Sequence, residues 1–246
     1  MLQAEESPAL PPELLMHGTR VAVNAQHKFG ADALLLAAFC GAKNSERVCD
    51  FGTGCGVIPL RLHDRGHRGV CVAIDCMPAA IALLQQSVRE NAIDHITPIC
   101  ADLRAWRPPC APDGTRALFD LITCNPPYFT DGPRSPDAAK AVARHEDACT
   151  VADVCRAASP VLRDGGRLCV CLRPQRLADV ICAMRAVHIE PKRLQFVVAR
   201  PEKEPWLFLL DGRKNRAPGL RLLPLLITEN ADGTRPSAAL RAVYET

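Results

Sequence analysis

Short apolar segments of strand length alternate with segments of helical period along most of the chain. The strand candidates are rich in β-branched residues and cysteine, which is typical of parallel strands buried on both faces. They are Arg47–Asp50, Val70–Asp75, Ile96–Cys100, Phe119–Cys124 and Arg167–Leu172. The helical candidates between and after them are Val57–Asp64, Ala79–Asn91, Val151–Leu162 and Gln175–Val187. This alternation predicts a doubly wound α/β fold around a mostly parallel sheet.

The pattern changes after Pro191. Leu194–Ala199 and Trp206–Leu210 are strand-like, and no long helix separates them, so we expect an antiparallel pair at the sheet edge. Leu220–Thr228 is predicted to add a short strand and Pro236–Tyr244 a short terminal helix. Together these segments predict a seven-stranded sheet, Rossmann-like and doubly wound, with an antiparallel C-terminal edge.

Composition excludes several classes of protein. The 246 residues are 48% hydrophobic and 23% charged, which is typical of a globular chain. The longest apolar run, Ala33–Cys40, is too short to span a bilayer, and the first residues do not resemble a secretory signal. We therefore expect a cytoplasmic protein with no membrane contact. Residues 31–246 are predicted to form one domain and residues 1–30 an extension packing on its ligand site, with a monomer favoured.

The cysteines do not indicate a disulfide scaffold. There are 13 of them, an odd number, and none is spaced as in a Cys-x-x-Cys or zinc motif. A free thiol inside a buried strand behaves as a small hydrophobe. Six of the cysteines fall inside predicted strands: Cys49, Cys71, Cys100, Cys124, Cys169 and Cys171. We expect reduced thiols and no metal.

A glycine-rich loop follows the first predicted strand and opens a helix. Its sequence from Asp50 to Gly56 is Asp-Phe-Gly-Thr-Gly-Cys-Gly, and in open α/β sheets ligands bind at this edge. The spacing departs from a dinucleotide fingerprint, because Val57 occupies the position that requires Gly or Ala. An acid beside the loop would repel a pyrophosphate but suits the ammonium and sulfonium groups of S-adenosylmethionine.

Two further acids follow the next strands. Asp75 ends the second strand, where a carboxylate can accept both ribose hydroxyls, and Asp102 follows the third, within reach of an adenine amino group. Each alone is as consistent with a turn or a helix cap. Three acids at the ends of consecutive strands favour a cofactor site.

The tetrad Asn125-Pro126-Pro127-Tyr128 ends the fourth strand, at the same edge. Two prolines make this segment rigid and extended, so that the Asn125 side-chain oxygen and the Pro126 carbonyl can accept from a planar amino group while Tyr128 stacks on it. Such a site suits methylation of an exocyclic nitrogen by positioning and electrostatics, with no strong base. A simple turn is the alternative.

These motifs resemble those of the class I S-adenosylmethionine-dependent methyltransferases that act on amino nitrogens. The flanking segments Gln26–Leu35, Ala143–Glu146 and Pro191–Val197 resemble the bacterial valine-tRNA adenine-N6 methyltransferase family, which modifies the adenine at position 37, beside the anticodon. The resemblance extends from Gln26 to the Arg-Ala-Val-Tyr near the C-terminus. It departs at Phe51, Cys55 and Asp75, where Leu, Ser and Glu are commoner.

The resemblance implies a role for each motif. Asn125, Pro126, Pro127 and Tyr128 would hold the target adenine. The cofactor S-adenosyl-L-methionine would be bound by Phe29, Asp32, Asp50, Gly52, Thr53, Gly54, Gly56, Asp75, Asp102 and Asn125. The tRNA substrate would be presented by its anticodon loop, with the adenine unstacked.

Basic residues in two segments are candidates for phosphate contacts. They are Arg134, Lys140, Arg144 and His145, and the C-terminal Lys203, Arg213, Lys214 and Arg216. Each is as consistent with a solvated charge, and His145 with a helix end. Two alternatives remain open: a protein glutamine N5-methyltransferase, because the tetrad specifies a chemistry and not a substrate, and a non-catalytic RNA-binding or chaperone protein.

Overall fold

The structure is a computed structural model that describes residues 10–109, 116–126, 149–230, 232–234 and 236–245. Its strands are β1 (Glu13–Leu14), β2 (Arg20–Val21), β3 (Val48–Phe51), β4 (Cys71–Asp75), β5 (Ile96–Cys100), β6 (Phe119–Cys124), β7 (Leu162–Leu172), β8 (Ile189–Val198), β9 (Leu207–Lys214), β10 (Arg221–Leu222) and β11 (Leu226–Ile227). Its α-helices are α1 (Ala31–Phe39), α2 (Val57–Asp64), α3 (Pro78–Glu90), α4 (Val151–Ala158), α5 (Leu177–Ala186) and α6 (Ala238–Glu245).

A central sheet carries the fold. Its seven longer strands lie in the order β8-β9-β7-β6-β3-β4-β5, and only β9 runs against its neighbours. The predicted mostly parallel, doubly wound sheet with an antiparallel C-terminal edge is therefore confirmed. The short strands β10 and β11 extend it by pairing in parallel with β8. The parallel strands all end at one edge, which we call the carboxyl edge.

Each face of the sheet is covered by a separate apolar core. On one face, α1, α2 and α3 contribute Leu35, Leu36, Leu60 and Leu84. On the other, α4 and α5 contribute Val154, Val180 and Met184. Side chains alternate between the faces along a strand, so Cys169 and Cys171 of β7 pack in the first core while the residues between and beside them pack in the second.

Three features differ from the sequence predictions. The helix α1 precedes the first long strand where the alternation predicts none. The segment Asp164-Gly165-Gly166 has the composition of a turn that would precede the strand predicted at Arg167, but it lies inside β7, as an irregularity in the pairing with β6, and Gly165 adopts a φ of 70° there. The helix predicted to reach Leu162 ends at Ala158, because Pro160 cannot continue an α-helix.

Two further differences from the sequence predictions concern the strand near the end of the chain and the burial of Cys100. The single strand predicted over Leu220–Thr228 is two short strands that flank Pro224, which lacks the N–H needed for continuous pairing. Cys100 is exposed because β5 is the outermost strand. The cysteines of the described segments are free thiols.

The hairpin β1–β2 docks on the helix ends far from the carboxyl edge. Asp64, the last residue of α2, accepts from the backbone N–H groups of His17 and Thr19, and Ser87 of α3 accepts from that of Ala22. Of residues 10–30, the stretch leading into α1 comes closest to the carboxyl edge, because Asp32 at the start of this helix bonds to Asn125. Within the described ranges, no helix combines the length and apolar character needed to cross a bilayer.

Candidate active site

The loop from β3 to α2 has the conformation that its glycines predict. Gly52, Gly54 and Gly56 have φ values of 67°, 56° and 83°, a region that side chains disfavour. A Cβ at Gly56 would overlap Leu84 of α3, whereas a Cβ at Gly52 or Gly54 would meet no atom within 4 Å. Gly56 therefore allows close helix packing, and the other two leave open space in front of the backbone.

Asp50 lies beneath this loop. Its side chain is buried, and Oδ1 accepts from the Thr123 hydroxyl at 2.6 Å. Oδ2 is also buried and has no hydrogen-bond partner among the described residues. Burial raises the pKa of Asp50 to about 7, although the neighbouring hydroxyls of Thr123 and Thr53 oppose the shift. An unpaired buried carboxylate oxygen favours a cationic ligand.

Asp75 joins the loop to the end of β4. Its Oδ2 accepts from the Gly54 N–H at 2.9 Å and its Oδ1 from the Met77 N–H at 2.9 Å. Each carboxylate oxygen can accept more than one hydrogen bond, so both remain able to receive ribose hydroxyls. Thr53 is buried, and its N–H bonds to the Ile74 carbonyl at 2.9 Å.

Asp102 has a partner that sequence reasoning missed. It lies at the surface after β5, where the Arg104 guanidinium donates Nε to Oδ1 at 3.0 Å and to Oδ2 at 2.9 Å, and Nη2 to Oδ2 at 2.6 Å. This pairing holds the pKa of Asp102 below its ordinary value. Its contact with an adenine amino group stays a prediction, and Arg104 would have to share the carboxylate.

Asn125 follows β6 at the carboxyl edge and is held from two sides. Its Nδ2 donates to Oδ2 of Asp32 in α1 at 3.2 Å, and its Oδ1 accepts from the Cys171 thiol of β7 at 3.1 Å. The sequence pointed to Asp32 and Asn125 separately; the structure brings them together. Cys171 was missed, because nothing in the sequence distinguishes it from the other buried cysteines.

The strand register places this asparagine next to the glycine loop. β3 and β6 are neighbours, and Phe51 pairs with Cys124, so Gly52 and Asn125 are the next residues on adjacent strands. Phe29 packs against the apolar core beside α1, and Pro126 is buried. Pro127 and Tyr128 lie outside the described residues.

The basic candidates fall in different places. Arg134, Lys140, Arg144 and His145 lie outside the described residues. Lys203 is exposed in the turn between β8 and β9, which lies at the carboxyl edge. Arg213 lies opposite Arg167, midway along β7 and about 17 Å from the end of that strand at the carboxyl edge, and Lys214 and Arg216 lie farther still from this edge.

Two of these distant residues have structural partners. Lys214 donates to the carbonyls of Ser159 and Leu162 at 2.6 and 3.0 Å, and Arg216 pairs with Asp164 at 2.8 Å. The Arg213–Arg216 segment is therefore remote from Asn125. Among the described residues there is no group of three or more His, Cys, Asp or Glu side chains suited to a metal ion.

Comparison with known proteins identifies similar chains. A family model described as methyltransferase small domain matches residues 19–198. A tRNA1(Val) (adenine(37)-N6)-methyltransferase from Bacteroides thetaiotaomicron is 30% identical over 186 residues, which cover 74% of this chain and 75% of the relative.

Solved structures share the fold. A predicted O-methyltransferase from Agrobacterium tumefaciens has a TM-score of 0.70 at 19% identity and covers 87% of this chain and 95% of its own. A 16S rRNA guanine-N2 methyltransferase from T. thermophilus, solved with AdoMet and guanosine, has a TM-score of 0.53 at 21% identity, over 84% of this chain and 50% of its own.

The fold and the site thus define a class I methyltransferase, and the prediction of an enzyme that uses S-adenosylmethionine is confirmed. The chain belongs to the methyltransferase small domain family and, within it, to the family of tRNA1(Val) (adenine(37)-N6)-methyltransferases.

Proposed function

We propose that this protein methylates the N6 amino group of an adenine in tRNA, at position 37 beside the anticodon. The observation that carries the proposal is the register of β3 and β6, which sets Asn125 beside Gly52. Adjacent strands lie about 4.8 Å apart, so a group held by Asn125 would face a ligand resting on the glycine loop.

The residues of the loop fit S-adenosylmethionine. Asp50 offers a buried, unpaired oxygen to a cationic group, Gly52 and Gly54 leave space for a ligand against the backbone, and Asp75 offers two oxygens to ribose hydroxyls. When bound, this cofactor supplies an electrophilic methyl group on a sulfonium. The fit of these residues supports the assigned roles.

Asn125 would orient the acceptor. An adenine amino group has two hydrogens, and its nitrogen lone pair is delocalised into the ring. Acceptance of one hydrogen by Asn125 Oδ1 and of the other by the Pro126 carbonyl would aim the lone pair along the line of methyl transfer. Most of the acceleration would then come from alignment and from electrostatic support of the charge that develops on the nitrogen.

No general base is assigned. Once methylated, the nitrogen carries an acidic proton that water can accept, so proton removal need not limit the rate. The tRNA must present the base unstacked, because the amino group has to reach Asn125 at the sheet edge. Lys203, exposed at this edge, is the described basic candidate best placed to meet a phosphate.

The test is methyl transfer from labelled S-adenosylmethionine into total bacterial RNA and total protein in parallel, followed by nucleoside mass spectrometry. RNA from a strain lacking this activity serves as the acceptor. We expect label in the tRNA fraction as N6-methyladenosine. Label on a protein glutamine would replace the proposal with the glutamine alternative. Cofactor binding without transfer to either fraction would favour a binding role.

A further inference from the structure

The side-chain amide of Asn125 is held at both of its ends. Nδ2 donates to Oδ2 of Asp32 at 3.2 Å, and Oδ1 accepts from Sγ of Cys171 at 3.1 Å. The two partners come from different elements, α1 and β7, which are in contact. The amide is therefore clamped between two elements that pack independently of any ligand.

The charges of the partners select one orientation of the amide. If the amide were flipped, its oxygen would face the Asp32 carboxylate, and two acceptors would stand at hydrogen-bond distance with no proton between them. In the observed orientation a charged acceptor receives the N–H, which is the stronger type of hydrogen bond. Asp32 therefore determines the orientation of the amide, with Nδ2 toward the carboxylate.

Cys171 acts on the other end. Its side chain is fully buried, and burial raises the pKa of the thiol well above its ordinary value, so the thiol keeps its proton. A protonated thiol can donate to Oδ1. Because an amide oxygen has two lone pairs, this bond leaves one acceptor site for a substrate N–H and fixes the direction in which it points.

We propose that Asp32 and Cys171 are positioning residues that lock the Asn125 amide with its oxygen toward the substrate amino group. The inference rests on the proposed function, because it concerns how Asn125 meets its acceptor. It gives Asp32 a role beyond the cofactor binding that the resemblance implies, and it separates Cys171 from the cysteines that only fill the core.

The first experiment compares Cys171→Ala and Cys171→Ser with Cys169→Ala. Cys169 is a matched control, because it is also fully buried, on the same strand and in the same core. We expect Cys171→Ala to lower kcat about 5- to 10-fold at an unchanged cofactor Kd, as loss of one hydrogen bond would. Cys171→Ser keeps a donor and should recover most of the loss, while Cys169→Ala should stay within about twofold of wild type. Equal kcat for the two alanine variants would overturn the role of Cys171.

Asp32→Asn tests the other half of the clamp. An amide at position 32 can accept or donate, so it no longer dictates the orientation of Asn125. We expect kcat to fall about tenfold with KM for tRNA nearly unchanged. A change in KM alone would contradict an orienting role.

Infrared spectroscopy tests the contact without any turnover. A hydrogen-bonded S–H group absorbs at lower frequency than a free one, and the difference between wild type and Cys171→Ala isolates the band of Cys171. The same subtraction between Asn125→Ala and the double variant Asn125→Ala/Cys171→Ala should place the Cys171 band at higher frequency, because the thiol has lost its acceptor. An identical frequency in both backgrounds would show that the thiol does not hold the amide. If wild type methylates no RNA, the proposed function fails while this comparison still decides the contact.

Discussion

The backbone N–H of Gly54 donates to Oδ2 of Asp75 at 2.9 Å, which ties the loop after β3 to the end of β4. The other oxygen of the same carboxylate accepts from the Met77 N–H and shapes the start of α3. One half-buried side chain therefore sets the geometry of the loop where we propose that the cofactor binds.

Replacing Asp75 should weaken cofactor binding. We expect Asp75→Ala to raise the Kd for S-adenosylmethionine about 10- to 100-fold, because it removes charge-assisted hydrogen bonds worth about 1–3 kcal/mol. Isothermal titration calorimetry measures this directly. Asp94→Ala is the control, because its side chain is fully exposed before β5 and should leave Kd unchanged. Unaltered affinity in Asp75→Ala would remove this residue from the cofactor site.

Asp50 should make cofactor affinity depend on pH. Its pKa is raised to about 7 by burial, so near neutral pH part of the unliganded protein carries a protonated Asp50. A cationic ligand favours the carboxylate, so binding releases that proton and affinity should rise between pH 6 and 8. Calorimetry across this range should show the dependence in wild type and not in Asp50→Asn. A parallel pH dependence in both proteins would assign it to another group.

The same group predicts how stability varies with pH when no ligand is bound. A carboxyl whose folded pKa lies above its unfolded value stabilises the fold while protonated. The contribution of Asp50 is therefore complete below about pH 4 and is lost as pH rises through about 7. Thermal melts of wild type and Asp50→Asn should diverge over this window. A constant difference in Tm would contradict a titrating Asp50.

Two glycines of the loop should respond differently to alanine. Gly56→Ala adds a methyl group that overlaps Leu84, and it places a side chain on a residue with a positive φ. Because both effects destabilise the fold, we expect the free energy of unfolding in urea to fall by about 2–4 kcal/mol. The added Cβ of Gly52→Ala meets no neighbouring atom, so this variant should lose only about 1–2 kcal/mol of stability through backbone strain. Relative to that loss of stability, Gly52→Ala should weaken cofactor binding more than Gly56→Ala does. The reverse ranking would show that Gly52 is the packing glycine.

Basic residues at opposite edges should divide between RNA binding and folding. Lys203→Glu should weaken tRNA binding several-fold and more strongly at low salt, since Lys203 is exposed at the carboxyl edge. Lys214→Met should lower Tm and leave tRNA affinity unchanged, because its ammonium bonds to the Ser159 and Leu162 carbonyls. Filter binding across a salt series separates the two. A salt-dependent loss of binding in Lys214→Met would return this residue to the RNA surface.

Features encoded in short segments were predictable from sequence. The loop from Gly52 to Gly56 depends on φ values that glycine adopts readily, so its position and backbone follow from the motif itself. The reversed strand β9 was also predictable, because its partner β8 precedes it across a short polar turn.

Features that depend on contacts between distant parts of the chain could not be predicted from the sequence. α1 is apolar on nearly all sides because it is packed between α2, β7 and β9, so it shows no amphipathic period and looks like a short apolar run. The bond between Asp32 and Asn125 joins residues 93 positions apart. The pairing of Asp102 with Arg104 is local, but Asp-x-Arg is too common to indicate it.

The central claim is most directly tested with a valine tRNA transcript that carries adenosine at position 37. Methyl transfer by wild type and by Asn125→Ala would be followed by nucleoside mass spectrometry, with cofactor Kd measured for both proteins. We predict N6-methyladenosine with wild type, none when position 37 is guanosine, and none with Asn125→Ala at a cofactor Kd within a few-fold of wild type. Equal methylation of the guanosine-substituted transcript, or full activity of Asn125→Ala, would contradict the account.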